Sequence, residues 1–139
     1  MSTKITHVLD TSALIAHYQE EPGFEEVENI VADPGNRVVI SSVTWLEFRI
    51  RLSQLCPDND ERSRAIDIYR ALLGQGIPAD DVIAARAYQL RQNAAERLPN
   101  MDALIAATAA EHGAILVHRD PHMAGIPSSA VSQLVLPDK

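Results

Sequence analysis

Ile5-Thr6-His7-Val8-Leu9-Asp10-Thr11-Ser12-Ala13-Leu14-Ile15-Ala16-His17-Tyr18 carries the first architectural signal in this chain. Residues 5–9 form a short apolar run suited to a strand, and the run stops at Asp10 and Thr11. Residues 12–18 read as a helix capped by Thr11 or Ser12, because a hydroxyl at a helix start can accept a backbone N–H that has no partner in the helix. Strand, polar turn and helix follow one another directly. This is the beginning of a parallel sheet, since parallel strands need a long crossover and a helix usually supplies it.

The alternation continues outward. Phe24, Val27, Ile30 and Val31 recur at helical spacing, and the turn formers Asp33-Pro34-Gly35-Asn36 end that helix before a strand over residues 37–41. From Ser42 onward Val43, Leu46 and Ile50 share one face of a third helix, which Pro57-Asp58-Asn59-Asp60 breaks. The next helix turns Ala65, Ile66, Tyr69, Leu72 and Leu73 inward and closes at Gly74 and Gly76. Ile77 and Pro78 leave at most a very short strand. Ala79-Asp80-Asp81 caps a helix presenting Ile83, Ala87 and Leu90. Another helix starts at Pro99-Asn100, and its run of small apolar residues from 103 to 110 requires burial on most sides. Gly113 ends it, residues 114–117 form a strand, residues 121–129 read as a loop, and residues 133–136 add a final edge strand. The fold class expected is α/β: one three-layer domain over residues 1–139, with a mainly parallel central sheet flanked by helices.

Composition narrows the function. A chain of 139 residues supports one core, and no apolar stretch approaches the roughly 18 residues that cross a bilayer. Met1-Ser2-Thr3-Lys4 leads into the first strand without a secretory h-region, so a cytoplasmic protein with no membrane partner is expected. The lone Cys56 excludes an intramolecular disulfide and a multi-thiolate metal site. A net charge of −7 argues against coating nucleic acid through bulk electrostatics. Any nucleic-acid chemistry must be local, and clustered carboxylates offer a local route by holding a hard cation that attracts phosphate.

The positions of the acids favour that route. Asp10, Ser41-Ser42 and His118-Arg119-Asp120 follow three strand-like runs, at the sheet edge where α/β sites form. Glu47 lies about one turn into the helix after the second run, and Asp102 lies in the first turn of the buried helix. Singly, each acid has an ordinary reading: Asp10 as a helix cap, Asp102 against a helix dipole, Glu47 paired with Arg51, Asp120 in a turn before Pro121. Jointly, those readings require four coincidences at one edge. Two carboxylates about 4 Å apart repel by about 4 kcal/mol at an effective dielectric near 20, and Mg²⁺ or Mn²⁺ would relieve that repulsion. Such an ion polarises a phosphodiester and lowers the pKa of bound water, which is the chemistry of phosphodiester hydrolysis.

Four segments carry a family likeness. Val8-Leu9-Asp10-Thr11-Ser12-Ala13-Leu14-Ile15 places an acid between an apolar run and hydroxyl residues, and Thr44-Trp45-Leu46-Glu47-Phe48 places one early in a helix. Asn100-Met101-Asp102-Ala103-Leu104-Ile105-Ala106-Ala107-Thr108-Ala109 holds the third, and Ile115-Leu116-Val117-His118-Arg119-Asp120 runs a strand into the fourth. In this order, over nearly the whole chain, they resemble the motifs of the PIN-domain family and of its VapC-type toxin ribonucleases. The resemblance implies an endoribonuclease that is the toxin of a type II toxin-antitoxin pair, with Asp10, Glu47, Asp102 and Asp120 as catalytic and metal-binding residues for Mg²⁺ or Mn²⁺. It also implies an RNA substrate, a small VapB-like antitoxin and a homodimer. The chain departs from the family at His118, where Thr is usual, and at Met123, where an aromatic residue is usual.

A hydroxyl at Thr11 or Ser12 could hydrogen-bond a metal-bound water or simply cap the helix, His118 could alter how water or a phosphate is positioned, and Arg119 and Arg49 are the foremost phosphate-contact candidates among Arg49, Arg51, Arg91, Arg97 and Arg119. His7, His17 and His112 read as ordinary structural or surface residues. Two rival functions remain. A non-catalytic PIN-like module would bind RNA or protein through a degenerate site. An aspartyl-phosphate phosphatase or phosphoacceptor would use Asp10 as nucleophile, but Ser12 occupies the place of the second Asp that the haloacid-dehalogenase-like pattern needs.

Overall fold

Four short strands form one sheet in the order β2-β1-β3-β4, with every pairing parallel. They are β1 (His7–Leu9), β2 (Val38–Val39), β3 (Ile115–His118) and β4 (Gln133–Val135). The computed structural model describes residues 4–139, so Met1, Ser2 and Thr3 of the N-terminal stretch lie outside the described residues. Val8 pairs with Val39 on one side and Leu116 on the other, which places the first apolar run at the centre of the sheet.

Side chains of successive strand residues point to opposite faces, and the two faces have separate cores. Val8, Val39 and Leu116 face one core, completed by α5 (Asp81–Asn93), α6 (Asn100–His112) and α7 (Pro121–Ala124). Leu9, Val38, Ile40 and Val117 face the other, completed by α1 (Thr11–Tyr18), α2 (Phe24–Ala32), α3 (Ser42–Leu55) and α4 (Asn59–Leu73). This is the expected three-layer arrangement. The small residues of α6 earn their place: Ala103, Ala106, Ala107 and Ala109 are all buried, and Gly113 ends the helix in the left-handed conformation that glycine adopts without steric cost.

Four local expectations are corrected. The cap of α1 is Asp10, whose carboxylate accepts from Ala13 N–H, while Thr11 and Ser12 already lie in the first turn. The apolar face of α3 is Trp45, Phe48 and Leu52; Leu46 and Ile50 point outward and are about half exposed. Aromatic packing sets this rotation, for Phe48 makes edge contacts with both Tyr18 and Tyr69. On α4, Leu72 is likewise half exposed, with Ala65, Tyr69 and Leu73 forming the buried stripe. Within residues 121–129, Pro121 opens the short helix α7, since proline lacks the N–H that a first helical position leaves unused. Ile77 forms only an isolated parallel bridge to Ser41. Among the described residues, no helix is long and apolar enough to cross a membrane.

Candidate functional site

The carboxyl ends of β1 and β3, the second and third turns of α3 and the first turn of α6 open on one cleft of about 400 Å³. Asp10, Glu47, Asp102 and Asp120 all line it, so the four acids drawn from distant parts of the sequence share one wall system. Thr11, Ser12, Arg51, Arg119 and Lys139 line it as well.

Each acid is held by identifiable bonds. Asp10 is 2% exposed, and its Oδ1 accepts from Ser12 Oγ at 2.7 Å and from Ala13 N–H at 3.0 Å. Ser12 Oγ in turn accepts the Arg119 N–H at 2.9 Å, which ties the turn after β1 to the turn after β3. Thr11 Oγ1 donates to Glu47 Oε1 at 2.5 Å and so connects α1 with α3. Asp120 caps α7 by accepting the His122 N–H at 2.9 Å. His122, absent from the expected site residues, places its Nδ1 3.1 Å from Asp120 Oδ1 and 3.9 Å from Asp102 Oδ2. The ordinary cap reading of Asp10 is therefore true and compatible with a place in the cleft.

Burial pushes the Asp10 carboxyl up to about 7; the Ser12 hydroxyl and Ala13 N–H oppose this, and the charges of Asp120 and Asp102 add to it. Burial also pushes Asp102 up to about 6, with Asp120 and Glu47 raising it further and His122 drawing it down. These carboxylates resist being ionised together, which is the condition a bound cation relieves. The carboxylates offer hard oxygens, and single ligand atoms of Asp102, Asp120 and His122, the last an imidazole nitrogen, lie within 4.8 Å of one another. The residue set fits Mg²⁺ or Mn²⁺.

The other candidates separate. His118 is fully buried and makes its bonds to the Asp120 backbone and Gln133, away from the cleft lining. Arg49 lines a different groove with Asn59, Arg62 and Asp67, between α3 and α4. Arg119 lines the cleft, yet its guanidinium is paired with Glu21 and also reaches the Pro22 carbonyl. Burial works to raise the Glu21 carboxyl, but Lys139 and Arg119 outweigh it and hold the carboxyl below its ordinary value. Nothing in the sequence marks Glu21, because its partner Arg119 is remote along the chain and surface acids are common.

The family model for the PIN domain matches residues 7–128. No curated protein matches the sequence. Among solved structures, the fold is similar to VapBC2 from Rickettsia felis bound to a DNA fragment from its promoter, at 20% identity and TM-score 0.76, covering 96% of this chain and 100% of that one. A toxin-antitoxin complex from Klebsiella pneumoniae aligns at 26% identity and TM-score 0.69, covering 94% of this chain and 97% of that one. VapBC-5 from Mycobacterium tuberculosis aligns at 25% identity and TM-score 0.67, covering 94% and 98% respectively.

Proposed function

The chain belongs to the PIN domain family, and on that premise we propose that it is a Mg²⁺- or Mn²⁺-dependent endoribonuclease of the VapC type. The observation that carries this reading is the gathering of Asp10, Glu47, Asp102 and Asp120 into one cleft, with the first of them almost completely buried. These four carboxylates would hold the cation. When bound, it supplies positive charge to a phosphodiester and lowers the pKa of water.

The chain's own residues do the positioning. Ser12 holds Asp10 by a hydroxyl bond, and Thr11 holds Glu47 in the same way. Arg51 on the cleft wall brings a cationic group to a protein of net charge −7, where it would attract a phosphate flanking the cleaved bond, while Arg119 and Lys139 reach the same wall with Glu21 as their acidic partner. Ile15 and Ile50 add apolar wall to the cleft.

The similarity to complexes described as VapBC and toxin-antitoxin supports a small VapB-like antitoxin as partner, and with it a role as the toxin of a type II pair. A cytoplasmic homodimer built from one domain per chain completes the reading. The competing phosphoacceptor chemistry lacks its second acid: Ser12, two residues after Asp10, bonds to that carboxylate where the pattern needs an Asp.

The test is cleavage of mixed cellular RNA by the purified chain with Mg²⁺, with Mn²⁺ and with chelator, beside Asp10→Asn. Metal-dependent cleavage that disappears in the variant is expected. Equal behaviour of the two proteins would instead favour a PIN-like binding module.

A further inference from the structure

We infer that His118 and Gln133 are positioning residues for Asp120, acting through one polarised chain of hydrogen bonds. The inference rests on the reading of the cleft as a metal site. His118 is the last residue of β3 and is fully buried, and Gln133 is the first residue of the neighbouring strand β4. Asp120 N–H donates to His118 Nδ1 at 3.0 Å. On the far side of the ring, Nε2 lies 2.7 Å from Gln133 Oε1. Gln133 Nε2 then donates to the Ile126 carbonyl at 2.9 Å.

The two ends of this chain have no choice of role. A backbone N–H only donates, so His118 Nδ1 must be the bare, accepting nitrogen. A carbonyl only accepts, so the Gln133 amide turns its NH₂ toward Ile126 and its oxygen toward the ring. The ring is thereby fixed in one tautomer, accepting at Nδ1 and donating from Nε2. A proton on Nδ1 would face the Asp120 N–H and break the bond.

The consequence falls on the site. The His118 bond fixes the peptide N–H of Asp120, whose carboxylate lines the cleft two residues beyond the strand. An apolar residue at position 118 would fill the same buried space without needing partners. A buried polar chain is costly unless every member is satisfied, and here every link is satisfied and the last one ends on a residue of the acidic cleft. Gln133 thus acts on Asp120 from an adjacent strand, without touching the cleft.

The experiment measures Mn²⁺ binding by calorimetry, without RNA, on the wild type, Gln133→Leu, His118→Asn and the double variant. Asparagine is informative because its side-chain oxygen accepts from the backbone N–H two residues on by local geometry alone, with no need of Gln133. Gln133→Leu should weaken Mn²⁺ binding about 10- to 100-fold when residue 118 is His, the usual range for losing a group that orients a metal ligand. In the His118→Asn background the same change should matter less than about twofold. With RNA present, Gln133→Leu should lower kcat and leave KM unchanged. An equal loss in both backgrounds would mark a merely structural role and overturn the inference. Unchanged Mn²⁺ binding in Gln133→Leu would overturn it while leaving the metal reading intact, and a wild type that binds no Mn²⁺ would overturn both. A reading independent of any substitution comes from nitrogen-15 NMR of the unaltered protein: a proton on Nε2 with bare Nδ1 supports the inference, and a proton on Nδ1 overturns it.

Discussion

Replacing Asp10 with asparagine should make the metal-free protein more stable at neutral pH, although it removes the most buried acid of the cleft. Burial lifts the Asp10 carboxyl from 3.8 to about 7, so between those values the folded chain holds a proton that the unfolded chain has released. For a group raised in this way, the stabilisation is fully present below about pH 4 and is lost as the pH rises through about 7. A gap of roughly 3 pH units at about 1.4 kcal/mol each amounts to about 4 kcal/mol, missing from the wild type above neutrality. Asparagine has no such proton to lose. Its amide oxygen can still accept from Ser12 Oγ and Ala13 N–H, as Asp10 does at 2.7 and 3.0 Å, and asparagine caps helices as well as aspartate. For a chain of this length about 1 kcal/mol moves Tm by about 3 °C, so Asp10→Asn should melt about 10 °C above the wild type at pH 8 in chelator. The two should converge near pH 4. Circular-dichroism melts at pH 4, 6 and 8 measure this directly. A variant that melts at or below the wild type at pH 8 in chelator, or a difference that ignores pH, would refute the claim that the cleft without metal is strained by its own charge.

Mn²⁺ should raise the wild-type Tm and leave Asp10→Asn nearly unmoved; at 100 times Kd the stabilisation is about 2.7 kcal/mol, and equal shifts in both proteins would show that the ion binds elsewhere. Glu21→Gln should cost about 3 kcal/mol in urea unfolding, because it leaves the largely buried Arg119 without its acid, whereas Arg86→Ala should cost under about 1 kcal/mol since its pair with Glu111 is solvent-exposed. Phe48→Ala should cost about 3–5 kcal/mol, while Leu46→Ser should stay within about 0.5 kcal/mol in the isolated chain; a reversed order would mean that the outer face of α3 has been misassigned.

Much of this architecture is written locally. Apolar runs before Asp10 and Asp120, turn formers at residues 33–36, the break at Pro57-Asp58 with Asp58 capping the next helix, and the alanine-rich stretch of α6 are short-range signals, and each became the expected element. Once those elements alternate, a parallel sheet follows from chain connectivity, and its carboxyl edge is the place where Asp10, Glu47, Asp102 and Asp120 can meet.

What the local signals leave undecided depends on groups far apart in the chain. The expected face of α3 is wrong at Leu46 and Ile50 because they are as apolar as the residues that are buried; contacts of Phe48 with Tyr18 and Tyr69 select the face. Glu21 and Arg119 become an ion pair only when α1 and β3 are packed side by side. The role of His118 was open in the same way, since an imidazole has two interchangeable nitrogens until Asp120 N–H and Gln133 occupy them. Periodicity and propensity act within a turn or a strand and so are carried by neighbouring residues, whereas burial, ion pairing and tautomer are set by whichever groups the folded chain brings into contact.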